Sequence, residues 1–138
     1  MNNKIEKLEK QVTEDLFIDD TILVRESLAT PIKHNKYLQI LFRERLQLKR
    51  LNSDLGKIRL ERTNYYNGNA EDPYEFVLST TEVKEHVKCD PNFISFEARV
   101  AMQEEIVNYL EEVCGILSRR GFSIKNAIDM MKFQNAQN

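Results

Sequence analysis

An all-α fold, mainly of elongated helices, is what this sequence predicts, and three observations predict it. Apolar residues recur at three-, four- and seven-residue steps over most of the chain. Only four glycines and three prolines punctuate its 138 residues. Charged residues make up 30% against 41% apolar, with a mean hydropathy of −0.52, the balance of amphipathic helices with wide solvated faces. A chain of this length is one domain's worth, or a domain with an extension. Punctuation divides it into an N-terminal helical region (1–68), an irregular connector with a short helix (69–94) and a C-terminal helical region (95–138).

The elements follow in order. Residues 2–15 set Ile5, Leu8 and Val12 at helical spacing. Asp19 and Asp20 can cap a second helix starting near Thr21. Pro31 is either a kink or, with Thr30 as cap, the first residue of a fresh helix. From there to Tyr66 two seven-residue series run together, Leu41, Leu48 and Leu55 beside Leu51, Ile58 and Tyr65. They make an a/d seam, with Glu44 as a polar interruption at one d position. Gly56 costs about 1 kcal/mol relative to Ala in a helix, yet the heptad phase passes through it. Tyr66-Asn67-Gly68-Asn69 and Glu71-Asp72-Pro73 end that helix.

Phe76-Val77-Leu78 reads as a short extended piece, Thr80 or Thr81 as the cap of a brief helix through Val87, and Asp90-Pro91 as another break. In the last third, Val100, Val107 and Cys114 are spaced by seven, as are Gln103, Leu110 and Leu117. Arg119-Arg120-Gly121 reads as a basic last turn and a helix stop. A final amphipathic helix then carries Ile124, Ile128 and Met131. Leu110, Val113 and Leu117 offer a matching seam across the turn at Gly121-Phe122. This pair of faces is the expected oligomerisation region: Leu110, Val113, Leu117, Phe122, Ile124, Ile128 and Met131.

Several function classes find no support. The sequence has no phosphate-binding glycine loop and no dinucleotide fingerprint, and no nucleophile with a recognisable catalytic companion, so the expectation is a protein that is not an enzyme. His86 and Cys89 stand three apart, but a structural zinc site needs four donors and Cys114 would be only a third. No metal or other cofactor is expected. No apolar run approaches the roughly 18 residues of a membrane span, and Cys89 and Cys114 suit a reducing compartment. The chain is expected to be soluble and intracellular, with no membrane partner.

Charge is distributed unevenly. The net charge is −2, yet residues 33–62 hold nine basic residues against three acidic ones. Residues 1–32 hold four and seven, and residues 63–138 seven and twelve. Such a local positive stripe attracts polyanions even when the whole molecule is acidic. Lys36, Arg43, Arg50 and Lys57 stand seven apart and form a stripe of roughly 30 Å at 1.5 Å per residue. Lys49, Arg59 and Arg45 widen it, and Arg62 lies nearer the seam, where it could pair with Glu44 of a neighbouring helix. A merely structural face would interleave both signs. Cations beside an aromatic ring suit single-stranded nucleic acid. Tyr65 falls on the seam, so Tyr66 is the stacking candidate. The DNA-binding candidates are therefore Lys36, Arg43, Arg50, Lys57, Arg59, Arg62 and Tyr66. The competing reading is a coiled-coil structural or adaptor protein whose basic face meets acidic protein tails.

Three blocks carry a family resemblance: Asp15-Leu16-Phe17-Ile18-Asp19, Tyr65-Tyr66-Asn67-Gly68, and Arg120-Gly121-Phe122-Ser123-Ile124-Lys125 followed by Asp129-Met130 and Phe133. In order and spacing the chain resembles the UvsY recombination mediators of T4-like bacteriophages over nearly its whole length. The resemblance implies a non-enzymatic factor in the cytoplasm of an infected bacterium that binds single-stranded DNA as a ring-like homo-oligomer. It further implies contacts with a UvsX-like phage recombinase and with the phage single-strand-binding protein, and the loading of the first onto DNA coated by the second. The family's Lys-x-Arg-Leu motif before the tyrosine pair reads here Leu60-Glu61-Arg62-Thr63. The pattern Lys57-Ile58-Arg59-Leu60 lies three residues earlier. Either the motif has slid along the helix or it is distributed over Lys57, Arg59 and Arg62.

Overall fold

The computed structural model describes residues 2–137. They form four helices, α1 (Asn2–Leu16), α2 (Leu23–Tyr66), α3 (Thr80–Lys88) and α4 (Pro91–Ala136), and no strand among the described residues. The protein is all-α. Two units divide the chain: residues 2–43 with 106–137, and residues 44–105. The boundaries at 68 and 94 drawn from sequence punctuation run differently, because each of the two long helices serves both units.

The first unit packs α1, the start of α2 and the second half of α4. Val12, Leu23, Tyr37 and Leu41 are buried there together with Leu110, Val113, Leu117 and Ile124. Before α2, the Asp19 carboxylate accepts from the Thr21 amide (2.9 Å) and hydroxyl (2.6 Å). This is the local side-chain turn that aspartate favours. The helix itself opens at Leu23 and runs through Pro31. Thr30 is no cap, since its hydroxyl donates back to the Glu26 carbonyl inside the helix (3.0 Å).

The expected stop at Gly121 is absent, for α4 continues without interruption to Ala136. Arg120 explains why. It is 3% exposed and reaches across its own unit rather than completing a last turn. One terminal nitrogen donates to the Glu26 carbonyl (3.0 Å) and the Thr30 hydroxyl (2.7 Å). The other donates to the Phe17 carbonyl and the Glu26 carboxylate, both at 3.0 Å. Ile124, one turn on, is 1% exposed in the same unit. Burial of that kind, worth roughly 1.5–3 kcal/mol per side chain, outweighs the cost of one helical glycine, about 1 kcal/mol.

In the second unit the heptad seams pack inside the protomer. Leu51 and Val100 are buried, and Leu48, Leu55, Ile58 and Tyr65 are half-buried. The polar step at Glu44 is answered by the buried Gln103, whose amide donates to the Glu44 carbonyl (2.9 Å) and carboxylate (2.6 Å). Helix α2 ends at Tyr66, and Gly68 two residues on takes a φ of 88°, which is open to glycine. The Asn69 amide closes the cap on the Asn64 carbonyl (2.9 Å), a Schellman bond. Phe76-Val77-Leu78 forms no strand; Val77 is fully exposed, and Leu78 packs on Val83, Val87 and Phe93. The α3 cap is Ser79, one residue before the expected threonines, in a reciprocal capping box with Glu82.

An unpaired charge inside a protein is strongly destabilising, whereas a neutral replacement of both partners is tolerated. Arg120→Met should therefore lower stability by about 3–5 kcal/mol, and adding Glu26→Gln should recover a large part of the loss. Urea unfolding of the two variants checks this; equal midpoints for the single and double variants would contradict it.

Candidate nucleic-acid interface

Helix α2 carries every basic candidate, and the fold sorts them into two groups. Lys36, in the first unit, is engaged: its ammonium lies 2.7 Å from the Asp15 carboxylate. Lys33 donates to the Asp15 carbonyl (3.1 Å), so both lysines hold the end of α1. The buried Tyr37 hydroxyl donates to the same Asp15 oxygen (2.7 Å). Burial works to raise the Asp15 pKa, but the bonds from Lys36 and Tyr37 win and hold it below the ordinary value. Burial and the neighbouring Asp15 charge push the Tyr37 hydroxyl well above its usual range.

Arg62, in the second unit, is also structural. Its Nε donates to Asp90 (2.8 Å), and its side chain is 18% exposed. Its guanidinium stacks 4.3 Å from the centre of the Tyr65 ring. The pairing with Glu44 of another helix is thus replaced by a pairing within the unit. Tyr66 is no free stacking platform. Its hydroxyl donates to the same Asp90 oxygen (2.8 Å), and its ring sits 4.9 Å from Tyr65, 5.2 Å from Tyr74 and 5.4 Å from His86. The tyrosine pair closes a core of rings instead of offering one.

Asp90 is the residue that sequence reading missed. Its other oxygen accepts from the Asn92 (2.9 Å) and Phe93 (3.1 Å) amides, capping α4, and Pro91 takes the first helical position. The Asp-Pro pair gave the signal, but as a break rather than a start. Burial alone would raise the Asp90 pKa; the bonds from Tyr66, the Phe93 amide and Arg62 instead hold it below the ordinary value.

Arg43, Arg50, Lys57 and Arg59 remain exposed. Lys57 keeps 82% of its side chain in solvent, with Asp54 no nearer than 4.0 Å. Arg59 is exposed as a residue, and its guanidinium lies over the Phe93 ring, 5.4 Å from the ring centre. Of the two Lys-x-Arg-Leu alternatives, the pattern at 57–60 presents its cations to solvent, while Arg62 does not. Among the described residues no cluster of histidine, cysteine or acidic side chains could hold a metal ion, and no helix is long and apolar enough to cross a membrane.

The residues expected to join copies of the chain also divide. Leu110, Val113, Leu117 and Ile124 are each at most 1% exposed within the protomer, so they have no surface to offer a second copy. Spacing marked them as an apolar face, and the first unit covers that face itself. Ile128 is half-buried. Phe122 (70%) and Met131 (44%) are exposed.

A family model described as "Recombination, repair and ssDNA binding protein UvsY" matches residues 11–137. The recombination protein uvsY of Enterobacteria phage T4 is 22% identical over 134 residues, covering 95% of this chain and 97% of that protein. Crystal structures of the bacteriophage T4 recombination mediator protein UvsY share the fold. One superposes with a TM-score of 0.86 at 21% identity, covering 94% of this chain and 96% of that one. Another gives 0.85 at 20% identity, covering 93% and 98%.

The Asp90 arrangement has a pH dependence of definite sign. Its folded-state pKa lies below the ordinary 3.8, so its contribution is present above that value and fades as pH falls through the lowered one. Asp90→Asn keeps a cap acceptor but loses the charge. It should cost about 3 kcal/mol at neutral pH, with the gap from the parent protein closing on acidification. Denaturant unfolding across pH checks this; a gap that widens in acid would refute it.

Proposed function

Because this chain belongs to the UvsY family of recombination, repair and single-stranded-DNA-binding proteins, we propose that it is a recombination mediator. In this reading it binds single-stranded DNA as a ring-like homo-oligomer and loads a phage recombinase onto DNA coated by the phage single-strand-binding protein. It catalyses no reaction itself and works in the cytoplasm of the infected host. The observation that carries the reading is the set of cations α2 leaves outside the fold: Arg43, Arg50, Lys57 and Arg59 are exposed on a protein of net charge −2. Their partners are phosphates, which a polyanion supplies in a row.

One protomer makes few contacts, and each neutralised phosphate of a single strand contributes only about 0.7 to the salt slope. Linking protomers multiplies the effect through effective concentration, by roughly 10²–10⁴. Self-association is therefore part of the mechanism. The first unit bears two exposed apolar faces suited to it. On α2, Val24 (72%), Leu28 (70%) and Ile32 (73%) stand four apart, with Phe42 (62%) further along. On α4, the exposed Phe122 and Phe133 stand eleven residues apart on one side of the helix, with Met130 beside them. A closed ring needs two different patches, one on each side of every contact. The α2 face of one protomer meeting the α4 face of the next meets that need.

Replacing Arg43, Arg50 and Lys57 by Gln should weaken binding to all base compositions alike, since phosphate contacts carry no base information. The log–log salt slope should shrink by about 2 per bound protomer. Fluorescence anisotropy of labelled oligonucleotides reads both effects. An unchanged affinity and slope would place the DNA elsewhere, and a parent protein without salt-dependent oligonucleotide binding would favour a structural adaptor instead.

Sedimentation tests the ring. Leu28→Ser with Phe42→Ser, and separately Phe122→Ser with Phe133→Ser, should each yield monomers. Mixed together, the two variants should form heterodimers and nothing larger, because one sound interface survives. Larger assemblies from either variant alone would overturn the two-patch arrangement.

A further inference from the structure

A cleft of about 420 Å³ opens in the second unit between α2, α3 and α4, within the roughly 300–1,000 Å³ of ligand pockets. Its floor is apolar: Val87 and Phe93 line it, each about 5% exposed. Its rim is cationic. Arg59 comes from α2, and Lys84 and Lys88 stand four apart on the exposed side of α3. Glu97 is the single acid of the lining, and Thr63 adds a hydroxyl. Lys88 meets Glu85 only loosely, at 3.6 Å with 70% of its side chain in solvent. Among the described residues no carboxylate lies within ion-pair distance of Lys84 or Arg59.

This concentration of positive charge runs against its surroundings, for residues 63–138 hold seven basic residues and twelve acidic ones. An apolar floor beneath three cations matches the chemistry of a nucleotide, whose base and sugar are largely apolar on their faces and whose phosphate is anionic. An acidic protein tail matches only the rim. Arg59 belongs to both the exposed series of α2 and the cleft, so a strand on α2 reaches the cleft without leaving positive potential.

We propose that this cleft is a nucleotide seat for single-stranded DNA, in which Lys84 and Lys88 of α3 bind successive backbone phosphates while the sugar and base rest against Val87 and the Arg59 guanidinium, itself stacked on Phe93. The inference rests on the DNA-binding reading above and extends it from one helix to three. Through it, α3 acts on DNA directly, not only as packing for the tyrosine cluster.

The test uses the full-length protein and labelled oligodeoxythymidylate. Lys84→Gln with Lys88→Gln changes two exposed side chains, and an unchanged melting curve verifies the fold. Two lost phosphate contacts should reduce the log–log salt slope by about 1.4 per bound protomer. Lys125→Gln with Lys132→Gln removes the same charge from α4 outside the cleft and should leave the slope as it was. If the α3 variant keeps the parent's slope, or the α4 variant loses as much, the seat is overturned. An unchanged DNA slope with lost binding of polyglutamate would assign the cleft to an acidic protein and overturn it as well. A parent protein without salt-dependent DNA binding would instead sink the underlying reading, which separates the two failures.

Discussion

Asp90 is the constraint on which the second unit depends. Only 2% of it is exposed, and its two oxygens receive four donors. One oxygen starts α4 by capping two backbone amides; the other ties down the last turns of α2 through Arg62 and Tyr66. A carboxylate so placed is tolerable only because every donor is supplied, since a buried charge left unpaired costs several kcal/mol. Its satisfaction has a functional consequence. Arg62 and Tyr66, which look from sequence like the end of a DNA-binding helix, are committed to the fold. The cations left for a ligand are those on the outer side of α2, away from the seam.

Arg120 plays the corresponding part in the first unit, where four acceptors surround it. Three of them come from Glu26 and Thr30 on α2, and the fourth is the Phe17 carbonyl in the connector after α1. One buried cation thereby fixes how the chain turns between its first two helices and where α4 lies against them. Gly121 beside it is exposed. Its value in the turn reading came from glycine's backbone freedom, which a helix this firmly anchored does not use.

Periodicity made most of the fold legible. The seven-residue series of α2 and α4 mark the residues that are buried or half-buried, and the polar members Glu44 and Gln103 of those series meet each other. Spacing reports that a face is apolar and cannot report what covers it. Leu110, Val113, Leu117 and Ile124 therefore read as an intermolecular surface although the same protomer encloses them. Charge counting has a matching blind spot. It found the basic stretch of α2 but could not tell a paired cation (Lys36, Arg62) from an available one (Arg50, Lys57), because the partners Asp15 and Asp90 are 21 and 28 residues away. Lys84 and Lys88 were hidden by averaging over an acidic segment. Only the packing of α3 beside α2 places them with Arg59.

A net negative protein that binds a polyanion must hold its positive charge in one place and keep it free of internal partners. In the proposed reading α2 does this with its outer cations, while Lys33, Lys36 and Arg62 hold the fold. The most direct measurement is a lysine-reactivity footprint of the full-length protein, read by mass spectrometry with and without oligodeoxythymidylate. DNA should shield Lys49 and Lys57, both exposed on α2, and leave the exposed Lys7 and Lys10 of α1 reacting as before. Undiminished reactivity at Lys49 and Lys57 with bound DNA, or shielding confined to α1, would contradict that reading.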